Sequence, residues 1–162
     1  MKYKDLHYER TDIDKAKSFM NDVITKFKNA RNGKEQIELI REVDNFSRDY
    51  ITYQAMANLN YSRNIHDVNF KSEKDFYDSI SSEIKEVYDN FNNVLHESKF
   101  KNDISEMYGD KFLEEIEIDL KTFDPKIKSL LQKEIEIKNQ YTKLTAGAKI
   151  NFEGEEYNLA GL

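Results

Sequence analysis

Hydrophobic residues recur at three- and four-residue steps through most of the chain, which is the spacing of helices that each bury one face. The pattern predicts helices over about 13–30, 34–60, 72–96, 100–108 and 112–122. Only one proline and five glycines interrupt it. We therefore expect an all-α fold, a bundle of three long and two shorter helices.

Short polar signals mark where these helices begin and end. Thr11 is followed three residues later by Asp14, a variant of the capping box, which predicts a helix start. Asn32-Gly33 ends the first helix, and the short connection makes the first two helices an antiparallel hairpin. Asn, Ser, Asp and His accumulate over 60–71, which predicts a loop.

The last forty residues change the pattern. Asp124 as N-cap and Pro125 at the first helical position predict a further helix of about twenty residues. Apolar and polar residues then alternate on both sides of a turn at 153–155, which predicts a short C-terminal β-hairpin. The expected helix carries one broad apolar face, made of Ile127, Leu130, Leu131, Ile135, Ile137, Tyr141, Leu144 and Ala148.

A hairpin of this size is marginal in water by itself. We therefore expect that it either packs on the bundle or belongs to a sheet that a continuation of the chain completes. Its place at the end of the sequence favours a role at a junction. Hydrogen exchange that found 150–159 as protected as the helices in the isolated chain would count against the junction.

Composition narrows the class of protein. The chain has 162 residues, enough for one domain, and its ten Phe and ten Tyr argue against disorder. A net charge of −6 with both signs interspersed disfavours a nucleic-acid partner. There is no apolar run of membrane-spanning length, no signal peptide and no cysteine, so we expect a cytoplasmic protein without a membrane partner.

Candidate catalytic motifs are incomplete. His96-Glu97-Ser98-Lys99-Phe100 begins like the zinc motif H-E-x-x-H, but the second histidine is replaced by Phe100. The Glu-x-x-His signature of di-metal bundles is absent at all three histidines. No G-x-S-x-G elbow or phosphate-binding glycine loop occurs. We therefore assign no catalytic, cofactor-binding or metal-binding residue to this chain.

Two polar clusters have structural explanations. In 63–67, Arg63 is expected to close the carbonyls at a helix end, and His66 to pair with Asp67. The acidic run 114–119 is expected to be the solvated face of a helix. A functional alternative for 63–67 comes only from a family resemblance.

That resemblance rests on several short segments in order. Together they resemble the N-terminal helical region of the oligoendopeptidase F family, zinc metallopeptidases of the thimet oligopeptidase type. The resemblance covers nearly the whole chain, although no segment is specific alone. The segments are RNIHD at 63–67, FY at 76–77, LKTFDP at 120–125, YTKL at 141–144, AGA at 146–148, INFEG at 150–154 and YNL at 157–159.

The resemblance implies a function for the longer protein. The family's H-E-x-x-H motif lies in a separate, downstream catalytic domain, where two histidines and a glutamate hold zinc and the Glu of the motif activates water. In that family the N-terminal domain is a wall or lid of a channel that admits short peptides. The functional alternative for 63–67 is that this cluster faces the catalytic domain or the peptide channel. The expected partners are the catalytic domain of the same polypeptide and short peptides. Zinc is expected in the full-length enzyme and not in this chain, so the isolated chain should be inactive.

The expected organisation is one helical domain over 1–162, with a bundle over 10–147 and a hairpin over 148–160 at the junction to the catalytic domain. The alternative is a free-standing helical module that binds other proteins without catalysis. The two differ in their surfaces. A wall domain should expose one contiguous apolar patch near the second helix and the hairpin, whereas a self-sufficient module should not.

Overall fold

A computed structural model describes residues 7–122, 128–152 and 154–157. It confirms the all-α prediction and the C-terminal hairpin. The first five helices are the predicted three long and two shorter ones, and a sixth precedes the hairpin. The elements are α1 (Ile13–Asn29), α2 (Gly33–Arg63), α3 (Val68–His96), α4 (Lys101–Tyr108), α5 (Asp110–Thr122), α6 (Lys128–Ala146), β1 (Ile150–Phe152) and β2 (Glu155–Tyr157).

The bundle is built around α3, which contacts α1, α2, α5 and α6. Two clusters of buried side chains form its core. Phe27 and Phe91 meet edge to face in the first, with ring centroids 5.4 Å apart. The first cluster is Met20, Val23, Phe27, Leu39, Ile40, Val43, Phe91, Leu95, Ile104 and Ile116; the second is Ala16, Tyr50, Ala57, Tyr77, Ile80 and Ile84.

The start of α1 differs from the prediction. The N-cap is Asp12, whose Oδ1 accepts from the backbone N–H groups of Asp14 and Lys15, both at 3.1 Å. A carboxylate is a stronger acceptor than a hydroxyl at the positive end of a helix. The predicted cap Thr11 instead contacts the hydroxyl of Tyr77, with its backbone N at 3.2 Å and its Oγ1 at 3.3 Å.

The loop between α2 and α3 is only 64–67, so the predicted loop over 60–71 is wrong at both ends. Helix α2 continues to Arg63 because Tyr61 is buried and still packs. Helix α3 begins at Val68 because the Asp67 carboxylate caps it, accepting from the N–H groups of Asn69 and Phe70. Strong capping within four residues overrides the polar composition of the segment.

The described residues before α1, 7–12, form a lead-in that lies against α3. The Arg10 guanidinium holds the Glu73 carboxylate at 2.6 Å (Nη2 to Oε1) and 3.1 Å (Nε to Oε2). Its charge lies 4.5 Å from the centre of the Phe76 ring. The Tyr8 hydroxyl also donates to Glu73, and burial together with this bond raises the pKa of Tyr8. The lead-in before residue 7 and the predicted cap at Asp124 lie outside the described residues.

Candidate functional site: the C-terminal arm

Helix α6 and the hairpin, here called the C-terminal arm, differ from the rest of the fold in burial. Helix α6 lies against α3, but none of its described side chains is buried and none belongs to either core cluster. Every one of α1 to α5 contributes at least one residue to the core. The arm is therefore attached to the surface of a core that is complete without it.

One polar triad joins α6 to the bundle. It consists of Lys74, Asp78 and Asn139. The Lys74 ammonium donates to Asp78 Oδ2 at 2.5 Å and to Asn139 Oδ1 at 2.6 Å. The Asn139 amide in turn donates from Nδ2 to Asp78 Oδ2 at 2.6 Å. Each of the three side chains thus bonds to the other two, across the contact between α3 and α6.

The outer face of α6 is apolar and uncovered by any described residue. Its stripe consists of Leu130, Ile137, Tyr141 and Leu144, and each is more than half exposed. At 100° per residue these four positions fall within an arc of about 60°. The broad apolar face predicted for this helix is therefore divided: Leu131 and Ile135 are half-buried on the inner side, and the outer stripe faces away.

The hairpin continues this apolar exposure. Ile150 pairs with Tyr157 and Phe152 with Glu155, so Ile150, Phe152 and Tyr157 share one face. Phe152 is more than half exposed. The other face is polar, with Lys149 and Glu156 joined at 2.9 Å. Gly154 takes the turn with φ 87°, a left-handed conformation that glycine adopts without strain.

Apolar side chains are also exposed on the second half of α2. Ile51 and Leu59 are more than half exposed, and so is Val68 at the start of α3. Exposed apolar side chains thus occur on α2 and on the hairpin, the two places near which one contiguous apolar patch is expected of a wall domain.

The incomplete zinc motif lies across a helix end. His96 is the last residue of α3, Glu97 is its C-cap, and Phe100 precedes α4. Two ligands of H-E-x-x-H must lie one turn apart on one helix. The backbone at 96–100 has no such helix, which is a second reason, besides Phe100, that this stretch cannot form the motif.

The polar cluster 63–67 forms the α2–α3 connection. Arg63 lies over the Phe70 ring at 5.4 Å, and Asp67 is the N-cap of α3. The backbone N–H of His66 donates to Asn64 Oδ1 at 3.2 Å. The expected His66–Asp67 pair is therefore wrong: the Asp67 carboxylate accepts from backbone amides of α3, where the helix dipole favours a negative charge.

The acidic run 114–119 is a largely solvated helix face, as predicted. Glu114, Glu115 and Asp119 are exposed, while Ile116 is buried in the first core cluster. Glu117 bonds to Lys121 at 2.6 Å, and that bond lowers the pKa of the Glu117 carboxyl. The run contributes one core residue and a row of surface charges.

The chain resembles known peptidases over most of its length. The sequence family described as the peptidase M3 N-terminal domain matches residues 3–123. The chain belongs to this family. No curated protein matches it significantly.

Solved structures extend the match of this M3 N-terminal domain to the arm. Pz peptidase A, solved with an inhibitor, is 32% identical with a TM-score of 0.92 over 98% of this chain. A protein described as an oligoendopeptidase F from Bacillus anthracis str. Ames is also 32% identical, with a TM-score of 0.92 over 99% of this chain. The chain covers 28% and 29% of those two proteins. It thus corresponds to the N-terminal region of oligoendopeptidase F-type peptidases.

The zinc that the family resemblance implies does not fit the donors of this M3 N-terminal domain. The chain has no cysteine and only three histidines, His7, His66 and His96. They lie in the lead-in, the α2–α3 connection and the end of α3. Among the described residues no group of three or more His, Asp or Glu could hold a metal ion.

No helix in the described part of the chain is long and apolar enough to cross a membrane.

The sequence did not reveal the polar triad of this M3 domain. Lys74 and Asp78 are four residues apart on one helix, a spacing that predicts an ion pair. Their third member, Asn139, is 61 residues beyond Asp78. No local pattern distinguishes Asn139 from other polar residues of α6.

Proposed function

We propose that this chain is the N-terminal domain of a zinc-dependent oligoendopeptidase that hydrolyses short peptides, and that it forms a wall or lid of the substrate channel. One observation carries the proposal. The chain aligns over its whole length, arm included, with slightly more than a quarter of larger peptidases, and its arm has an apolar outer face that no described residue covers.

The energetics of the arm support a contact with the catalytic domain. Fully burying one large apolar side chain contributes about 1.5–3 kcal/mol. Leaving the four residues of the outer stripe and Phe152 in water therefore forgoes several kcal/mol, a large amount against a typical stability of about 5–15 kcal/mol. The catalytic domain of the same polypeptide is the partner that we assign to this face, with the hairpin at 148–160 as the junction.

Zinc belongs to that catalytic domain in this proposal. The donors in the described part of the chain do not converge, so H-E-x-x-H and a further glutamate in the catalytic domain would hold the metal. The isolated chain should be inactive on peptides even when zinc is added. Its cytoplasmic location stays a prediction from the sequence.

The experiment that tests the function begins with the gene. Reading the frame onward from codon 162 should reveal several hundred further codons with H-E-x-x-H. The longer polypeptide and the 162-residue chain are then assayed side by side on a quenched fluorescent peptide of about ten residues, with a chelator and with zinc restored. We expect hydrolysis only by the longer polypeptide and only with zinc.

Two outcomes would overturn the proposal. A stop codon directly after Leu162 would leave no catalytic domain, and the chain would then be the free-standing interaction module. Zinc-independent hydrolysis by the longer polypeptide would rule out a zinc peptidase. Hydrogen exchange adds a separate check on the junction, because the amides of β1 and β2 should be much less protected in the isolated chain than in the longer one.

A further inference from the structure

Lys74 lies where three helices meet. It belongs to α3, its ammonium is 5.7 Å from the centre of the buried Tyr61 ring of α2, and it bonds to Asn139 of α6. Its side chain is only 11% exposed and that of Asp78 is 21% exposed. An ion pair with so little water around it interacts strongly with any further polar group that reaches it.

We propose that Asn139 is a positioning residue that sets the angle of the C-terminal arm on the bundle through the Lys74–Asp78 pair. The arm presents the outer stripe, so its angle also sets the direction in which that stripe points. The consequence for peptide hydrolysis rests on the proposed function, because it requires a catalytic domain on that stripe. The positioning of the arm itself does not.

The chemistry of the asparagine side chain matches the pair on both sides. Its carbonyl oxygen accepts from the cation and its amide nitrogen donates to the carboxylate, both at 2.6 Å. An aspartate at 139 would place a second carboxylate against Asp78, and an alanine would reach neither group. A glutamine keeps both groups but moves them outward by one methylene.

Apolar contacts alone fix the orientation of the arm less firmly than the triad does. Leu131 and Ile135 lie on the same side of α6 as Asn139; both are partly buried, and neither packs against a core cluster. Such contacts are non-directional, so they permit helices to rotate and slide. Hydrogen bonds require donor and acceptor within narrow limits of distance and angle, so the triad selects one orientation from those that the apolar contacts allow.

Because the chain has no native cysteine, the placement of the arm on the bundle can be measured with two introduced labels. Cysteines introduced by Asn45→Cys on α2 and Lys143→Cys on α6 replace two exposed residues, and each can carry a spin label. Pulsed electron paramagnetic resonance then gives the distribution of distances between the two spin labels, one on each helix. Asn139→Ala is compared with Gln140→Ala, a change at the next residue of α6, which is exposed and outside the triad.

The unchanged chain and Gln140→Ala should give one narrow distribution at the same distance. Asn139→Ala should broaden the distribution at least twofold, while the melting temperature of the bundle stays within a few degrees. Lys74→Met should broaden it similarly from the other side of the contact. Asn139→Gln should keep a narrow distribution whose centre shifts. Circular dichroism establishes that each variant keeps its helix content.

The proposal would be overturned if the distribution in Asn139→Ala matched that of Gln140→Ala, whether both stayed narrow or both broadened. Loss of α6 helicity in Asn139→Ala would assign the residue a folding role instead. In the longer polypeptide, Asn139→Ala should raise KM several-fold more than it lowers kcat, because substrate binding depends on how the wall is placed. If that polypeptide had no peptidase activity, the proposed function would fail and the distance result would stand.

Discussion

The Ser98 hydroxyl donates to Oε1 of Gln36 at 2.5 Å, and this bond joins the first turn of α2 to the segment between α3 and α4. The same amide donates from Nε2 to the backbone carbonyl of Phe27 at 3.1 Å, near the end of α1. Gln36 is only 4% exposed. One buried side chain therefore connects α2 both to the end of α1 and to the residues that follow α3.

Replacing Gln36 by alanine should lower the free energy of unfolding by about 1–3 kcal/mol, since it leaves the Phe27 carbonyl without this donor in a buried setting. Urea denaturation followed by circular dichroism measures the change. Gln140→Ala, the same substitution at an exposed position, serves as the control and should cost less than about 0.5 kcal/mol. Equal losses in the two variants would contradict the role given to Gln36.

Gly33 begins α2 directly beneath Asp103 of α4. A Cβ atom at position 33 would lie closer than 3.0 Å to the Asp103 side chain. Gly33→Ala should therefore destabilise the protein by about 1–3 kcal/mol through overpacking. Asp103→Gly removes both the Cβ and the carboxylate that would clash, so Gly33→Ala should cost much less in an Asp103→Gly background than in the unchanged protein, as measured by thermal melts. An equal cost in the two backgrounds would show that the effect at Gly33 has another origin.

Glu73 makes the stability depend on pH. Its hydrogen bond with Arg10 holds the pKa of the Glu73 carboxyl below the ordinary value of 4.5, despite partial burial. Because the folded-state pKa is the lower one, the contribution is complete above pH 4.5 and is lost as the pH falls through the folded-state pKa. Glu73→Gln should thus cost about 1 kcal/mol at neutral pH and much less well below pH 4.5.

Urea titrations of both proteins at several pH values measure this difference. Glu115→Gln is the control, because Glu115 is exposed on α5 and its pair with Lys111 is 3.5 Å long. The control should track the unchanged protein at every pH. A stability difference for Glu73→Gln that stayed constant down to about pH 3 would exclude the linkage.

The two sides of α6 should respond differently to charge. The double variant Ile137→Lys, Leu144→Lys should change the free energy of unfolding by less than about 0.5 kcal/mol, because both residues are already exposed to water. It should also reduce the binding of a hydrophobic dye. Ile135→Lys should accelerate hydrogen exchange throughout α6, because Ile135 lies on the inner side. If dye binding survived the double change, the outer stripe would not be the main exposed apolar surface.

The sequence determined most of the fold because helical periodicity is a local signal. The stripe that contains Met20, Val23 and Phe27 has this spacing, and these residues are fully buried. Errors arose where two local signals competed. At the α2–α3 connection polar composition indicated a long loop, whereas capping by Asp67 extended α3 toward its N-terminus.

The candidate surface was harder to predict. Positions 135 and 137 are about 200° apart around a helix, but periodicity does not show which side a neighbouring element covers, so the exposed side of the arm could not be assigned. The triad could not be predicted from the sequence for another reason. It forms only when the chain brings Asn139 next to Lys74, and a hydrogen bond between distant residues leaves no periodic pattern in one sequence.

Among the residues that the structure describes, both core clusters are complete by residue 116, and the last side chain packed against them is Leu120. During synthesis on the ribosome, α1 to α5 can thus reach their native packing before α6 has left the exit tunnel. The arm is then added to a finished surface, and its outer stripe is newly exposed when later segments of a longer polypeptide emerge. The order of translation would in this way favour contact within one chain over contact between neighbouring chains.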